Sequence, residues 1–155
     1  MSTLRKLIID TDPGVDDAFA ISCALLSKKF DCIGITTVAG NVNIDHVTNN
    51  ALRFLEFLEM TEIPVYRGAA EPMVVKLKED ANIVHGANGF GDYVLPDLGK
   101  REEKMHAVDF IIEMAKKYPN ELEIVALGPL TNLGMAIQKD PEAMKNIKVI
   151  WSMGG

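Results

Sequence analysis

The stretch Leu7-Ile8-Ile9-Asp10-Thr11-Asp12-Pro13-Gly14-Val15-Asp16-Asp17 decides the fold and points to the chemistry. Its apolar half, together with Leu4, reads as a buried strand, Pro13-Gly14 as a turn, and the residues from Asp16 to Leu26 as a helix. Four carboxylates therefore collect where a strand ends and a helix begins. In an open α/β sheet that is the crevice in which ligands bind. Asp10 and Asp12 stand two apart and are expected on the same side of a strand, while Asp16 and Asp17 sit where a helix N-terminus favours negative charge. A helix cap explains one acid and not four. Like charges this close raise one another's pKa or recruit a cation. An all-oxygen donor set suits a hard ion such as Ca²⁺ or Mg²⁺ rather than zinc.

Outward from this stretch, strand-like and helix-like runs alternate. Strands are predicted at Leu4 to Asp10, Cys32 to Val38, Val65-Tyr66, Glu123 to Leu127 and Val149 to Ser152. Helices are predicted at Asp17 to Ser27, Ile44 to Glu59, Lys104 to Tyr118 and Thr131 to Gln138. In the second helix Val47, Ala51, Phe54, Leu55 and Leu58 recur at threes and fours, and in the third Ala107, Phe110, Ile111, Met114 and Ala115 do the same. This alternation predicts an α/β fold, a mostly parallel sheet flanked by helices on both faces. Most apolar residues, the eight methionines included, are then expected in the core. The stretch from Gly68 to Gly99 has no clear period, and a loop of that length in a compact domain is usually functional or mobile.

The chain has 155 residues, 48% of them hydrophobic, and no shift in composition, which predicts one domain over residues 1–155. A net charge of −6 and a pI near 5.0 argue against nucleic-acid and membrane partners and for a small ligand. Two cysteines, Cys23 and Cys32, lack metal-like spacing and are expected as buried thiols. With no signal-peptide pattern at the start, a cytoplasmic location is expected.

Other informative residues follow the strand ends. Asn41, after Val38-Ala39-Gly40, could hold a hydroxyl or cap the next helix. Leu127-Gly128-Pro129-Leu130-Thr131-Asn132 follows the fourth strand; a structural turn is the default there, although Gly128 permits close backbone approach. His85 lies in a glycine-rich loop that could fold over a ligand, though a lone loop histidine is more often solvated. His46 and His106 open helical patterns and are expected at the surface.

Taken together, these residues resemble the nucleoside hydrolase family of the inosine-uridine preferring type. The likeness rests on Asp10 to Ala18, Thr36-Thr37-Val38-Ala39-Gly40-Asn41, Val84-His85-Gly86, Gly128-Pro129-Leu130-Thr131-Asn132 and Met153-Gly154-Gly155, in order along the whole chain. It implies one Ca²⁺ held by Asp12, Asp17 and the carbonyl of Leu127. Asp12 would be the general base, Asp16 and Asn41 would bind the ribose diol, His85 would lie near the sugar or base, and Asp10 would support the acidic loop from behind. The implied reaction hydrolyses the N-glycosidic bond of a ribonucleoside to ribose and a free base. Members of the family are often homo-oligomers.

The resemblance covers only the N-terminal half of such enzymes. The half without counterpart supplies a further aspartate ligand, a histidine that protonates the leaving base, and ribose-binding asparagine and glutamate. A sheet truncated after about five strands, with an exposed, association-prone edge, is therefore expected, as is a chain weakly active or inactive alone. Two rivals stand beside this reading. One is a non-catalytic truncated isoform. The other is a Mg²⁺-dependent phosphotransferase of the haloacid dehalogenase type, with Asp10 as nucleophile and Asp12 beside it, although Gly14 departs from that pattern and Asp16-Asp17 has no task in it.

Overall fold

The computed structural model describes residues 4–74, 86, 88–91, 93–97 and 99–153. Five strands, β1 Arg5–Thr11, β2 Phe30–Thr37, β3 Val65–Arg67, β4 Glu123–Ala126 and β5 Val149–Ser152, form one sheet in the order β3-β2-β1-β4-β5. All four pairings are parallel, with one irregularity in the β1–β2 register between Leu7 and Ile8. Among the described residues five helices connect them: α1 Val15–Leu26, α2 Ile44–Phe57, α3 Ala107–Lys117, α4 Thr131–Lys139 and α5 Pro141–Met144.

Parallel strands need crossover connections, and here these place helices on both faces. Alternation along β1 decides the split. Leu7 and Ile9 pack with Ile21 of α1 and Ala51, Phe54 and Leu55 of α2. Ile8, pointing the other way, packs with Phe110, Ile111 and Ala115 of α3 and Leu133 and Ala136 of α4. The apolar stripes predicted for the second and third helices are the faces that bury these layers.

The expected elements are all present; Val149–Ser152 keeps its predicted bounds and the others have shifted ends. The first helix begins at Val15, two residues early, because the Asp12-Pro13-Gly14 turn is tight and Gly14 already occupies the cap position. One helix was not predicted: α5, whose Pro141 sits in its first turn and whose Asp140 side chain accepts from Ala143 N at 3.0 Å. Asn43, not Asn41, caps α2, accepting from His46 N at 3.1 Å. His46 and His106 are exposed as expected, and His106 caps α3 through Val108 N.

Two expectations about burial are corrected. Cys23 is exposed, because it lies on the outer side of α1, and Cys32 is only partly buried. Met73, Met105, Met135 and Met153 are exposed, so the methionines divide between core and surface. β5 is one edge of the described sheet and β3 the other; Ile150, Trp151 and Met153 are 39%, 55% and 63% exposed. Among the described residues no helix is long and apolar enough to cross a membrane.

Candidate active site at the carboxyl end of the sheet

From β1 the chain winds one way to β2 and β3, then returns to build β4 and β5 on the other side of β1. The reversal falls between β1 and β4, and the crevice beyond their carboxyl ends is the ligand position of doubly wound sheets. The acidic turn leaves β1 at that point. It is bracketed by the segment after β2, where Val38 N donates to Thr11 O at 3.1 Å, and by the segment after β4, where Leu127 N donates to Asp10 O at 2.7 Å.

Asp12 is the side chain on which these segments converge. It is 5% exposed, and its Oδ2 accepts from Asn41 N at 2.8 Å while its backbone carbonyl accepts from Asn41 Nδ2 at 2.9 Å. Two glycines make room for the carboxylate. A Cβ on Gly128 would stand 2.6 Å from Asp12 Oδ1, and one on Gly40 would overlap Oδ2 and lie 2.8 Å from Cγ. Burial pushes the Asp12 carboxyl up to about 7, with the negative charge of Asp17 adding to it and the Asn41 N–H opposing.

Asp17 is also buried, at 3% exposure. Its Oδ1 accepts from Thr11 Oγ1 at 2.7 Å and its Oδ2 from Gly14 N at 3.1 Å, the second being the reciprocal half of a capping box. Helix capping therefore accounts for Asp17 and leaves Asp10 and Asp12 unexplained. Burial raises the Asp17 carboxyl above its usual range, against the pull of those two hydrogen bonds.

Asp10 lies beneath the turn at 0% exposure. Its Oδ1 accepts from Thr36 Oγ1 at 2.6 Å and Asn132 Nδ2 at 2.8 Å, while its Oδ2 is buried with no hydrogen-bond partner among the described residues. Burial pushes this carboxyl to about 6, and the same two donors pull it back. Asn132 itself is wholly buried: Nδ2 also donates to Thr37 O at 3.0 Å, and Oδ1 accepts from Ala69 N at 2.9 Å. One amide thus ties together the ends of β1 and β2, the loop after β3 and the start of α4.

The other named residues divide. Asp16 is exposed in the first turn of α1, Asn41 and Leu127 are partly buried at the crevice, and His85 lies outside the described residues. Asn41 spends one amide hydrogen on Asp12, leaving its carbonyl oxygen and second hydrogen as what it could offer a ligand. The sequence reading missed Thr11, Thr36 and the role of Asn132. The available signal for Asn132 was a polar amide in the first turn of a helix that follows a strand end by a short turn.

Burial holds three carboxyls here above their usual range, and one Asp10 oxygen has no partner among the described residues, so either a proton or a cation would relieve the charge. The all-oxygen donors match a hard ion. They are few, however: among the described residues no group of three His, Cys, Asp or Glu side chains is arranged to hold a metal. Asp12, Asp17 and the Leu127 carbonyl fall short of the six to eight oxygens that Ca²⁺ takes.

Strand order, crevice and acid turn together define a doubly wound α/β protein with a carboxylate-lined crevice at its switch point. A family profile described as inosine-uridine preferring nucleoside hydrolase matches residues 7–155, and the chain belongs to that family. It is 42% identical over 97% of its length to uridine nucleosidase 1 of Arabidopsis thaliana, covering 45% of that protein. It is 39% identical over 100% of its length to the non-specific ribonucleoside hydrolase RihC of Salmonella paratyphi A, covering 50% of it. The solved purine-preferring ribonucleoside hydrolase of Gardnerella vaginalis superposes with a TM-score of 0.92 at 41% identity, over 97% of this chain and 49% of that one. The chain spans about half the length of the curated relatives it matches.

Proposed function

We propose that the crevice binds a ribonucleoside through its ribose diol and belongs to the machinery that hydrolyses the N-glycosidic bond, giving ribose and a free base. The observation that carries this is the convergence of Asp12 and Asp17, both buried and mutually repelling, at the switch point of a sheet whose relatives are named nucleosidases and ribonucleoside hydrolases. The family is metal-dependent in general. The proposed ion is Ca²⁺, held by Asp12, Asp17 and the Leu127 carbonyl. When bound, such an ion supplies positive charge that grips vicinal hydroxyls and acidifies water.

The chain's own residues do the rest in this reading. Asp12 is the carboxylate placed to take a proton from water, and the Asn41 N–H holds its Oδ2 in position. Asp16 and Asn41 hold ribose hydroxyls, and His85 serves the sugar or base end. Carboxylates stabilise the positive charge that develops on the sugar ring as the base departs. Asp10 holds the turn from below through Thr36 and Asn132. The compartment in this proposal is the cytoplasm.

A second reading, binding without turnover, is favoured by the sparse donor set among the described residues. Calorimetry with Ca²⁺ and ribose, followed by assay of ribose release from inosine and uridine, separates the two. Binding with little turnover by the isolated chain is expected; absence of both ligands' binding would leave the inert reading. A nucleophilic Asp10 is disfavoured because a phosphoryl group cannot reach a side chain at 0% exposure.

A further inference from the structure

One side chain of α2 joins two backbone segments far apart in sequence. Asn50 Nδ2 donates to the carbonyl of Asn88 at 2.8 Å and to the carbonyl of Pro13 at 3.4 Å. Pro13 is the middle of the acid turn, between Asp12 and the Gly14 N–H that holds Asp17. Asn88 opens a turn with its own bracing: Phe90 N donates to Asn88 Oδ1 at 2.8 Å, and Asn88 Nδ2 donates to Tyr93 O at 3.0 Å. Gly89, at φ +83°, lets that turn close on the others. A Cβ there would stand 3.1 Å from Asn50 Nδ2, 3.2 Å from Val42 Cγ2 and 3.5 Å from Pro13 O. Two carbonyl oxygens facing one place require donor hydrogens between them, and the Asn amide brings two.

We infer that Asn50 is a positioning residue of the proposed cation and ribose site. Its amide fixes the Pro13 carbonyl, and with it the spacing of Asp12 and Asp17, while seating the Asn88 turn against the same loop. This rests on the functional reading given above, and the test separates the two.

Asn50→Asp keeps the shape but sets an oxygen against both carbonyls; Asn50→Ala removes the donors without adding an acceptor. Asn49→Ala, at the exposed neighbouring position, is the control. Two quantities are measured: Ca²⁺ affinity by calorimetry, and exchange of the Gly14 amide hydrogen relative to the core amides of Ile8 and Ile9. Both Asn50 variants should weaken Ca²⁺ binding about tenfold or more and speed Gly14 exchange by a similar factor, with Ile8 and Ile9 and the control unchanged. Parental affinity together with parental Gly14 exchange in Asn50→Asp overturns the inference. If the parent itself binds no Ca²⁺, the cation reading fails, and Gly14 exchange alone decides the role of Asn50. Should Asn50→Asp not fold, Asn50→Ala carries the same expectations.

Discussion

Gly40→Ala tests the acid site with a single methyl group. Gly40 is not among the glycines at positive φ, so alanine is compatible with its backbone and the effect is steric. The added Cβ would overlap Asp12 Oδ2 and lie 2.8 Å from both Asp12 Cγ and Pro129 Cδ. Restoring ordinary van der Waals separation needs a shift of about 1 Å. Pro129 blocks retreat on one side, so the Asp12 carboxylate yields and loses its hydrogen bond from Asn41 N. Overpacking costs about 1–3 kcal/mol, and stiffening the unfolded chain returns about 0.4–1 kcal/mol. The net loss is then about 1–2 kcal/mol, or a fall of about 2–8 °C in melting temperature for a chain of this size. Ligand distances in metal sites tolerate only about 0.2 Å, so Ca²⁺ affinity should drop by about 10- to 100-fold. Calorimetry gives the affinity, and the ¹³C shift of the Asp12 carboxyl against pH gives its pKa, which should leave its parental value near 7. A Gly40→Ala chain with the parent's affinity and the parent's Asp12 titration would refute the close cradle described here.

Asp12 and Asp10 make the cation-free protein sensitive to pH. Their folded pKa values of about 7 and about 6 exceed the ordinary aspartate value of 3.8, so between these limits the native state keeps protons that the unfolded chain has lost, and stability falls as pH rises from about 4 to 7. Melts in chelator should therefore be lower at pH 8 than at pH 5, with added Ca²⁺ restoring the difference; the opposite trend contradicts the assignment. Asn132→Ala removes three buried hydrogen bonds and should cost about 3–5 kcal/mol in denaturant unfolding. A loss below about 1 kcal/mol would show that the tie is dispensable. Glu123, held to about 2 by Arg5 with help from Lys148, stabilises the fold above about pH 4.5 and loses that contribution as pH falls toward 2. Glu123→Gln should accordingly cost about 1–2 kcal/mol at pH 7, after allowance for screening around the half-exposed Arg5 and Lys148, and nothing near pH 2. Ile150→Lys on the open β5 edge should reduce concentration-dependent association in sedimentation velocity.

What the sequence disclosed, and what it hid, follows the range of the interactions involved. Periodicity is local, and it located every strand and the four longer helices; Val149–Ser152 was placed to the residue. It missed α5 because Pro141 reads as a break until Asp140 is seen to cap the turn. The acids were legible because no local need of a helix or strand calls for four of them together. Their partners were not: Asn132 meets Asp10 across 122 positions, and Thr36 meets it across 26. No spacing rule carries information over that distance. Asn41 was ambiguous for a similar reason, since only the neighbouring role of Asn43 as helix cap shows that Asn41 is available to brace Asp12.

The same topology that makes the crevice also withdraws its acids from water. Because β1 lies between β2 and β4, the segments leaving both neighbours close over the acid turn, and Asp10, Asp12 and Asp17 are withdrawn from water. Thr11, Thr36, Asn41 and Asn132 answer some of the carboxylate oxygens, but Asp10 Oδ2 is left unanswered and the pKa values stay raised. A fold that spends stability to gather acids in this way gains it back from whatever neutralises them, and a ligand that binds only the native state stabilises it in proportion to its affinity. The proposed cation would therefore be linked to folding: an ion bound by these acids should also raise the melting temperature, and more so above pH 7, where Asp12 is ionised, than below it.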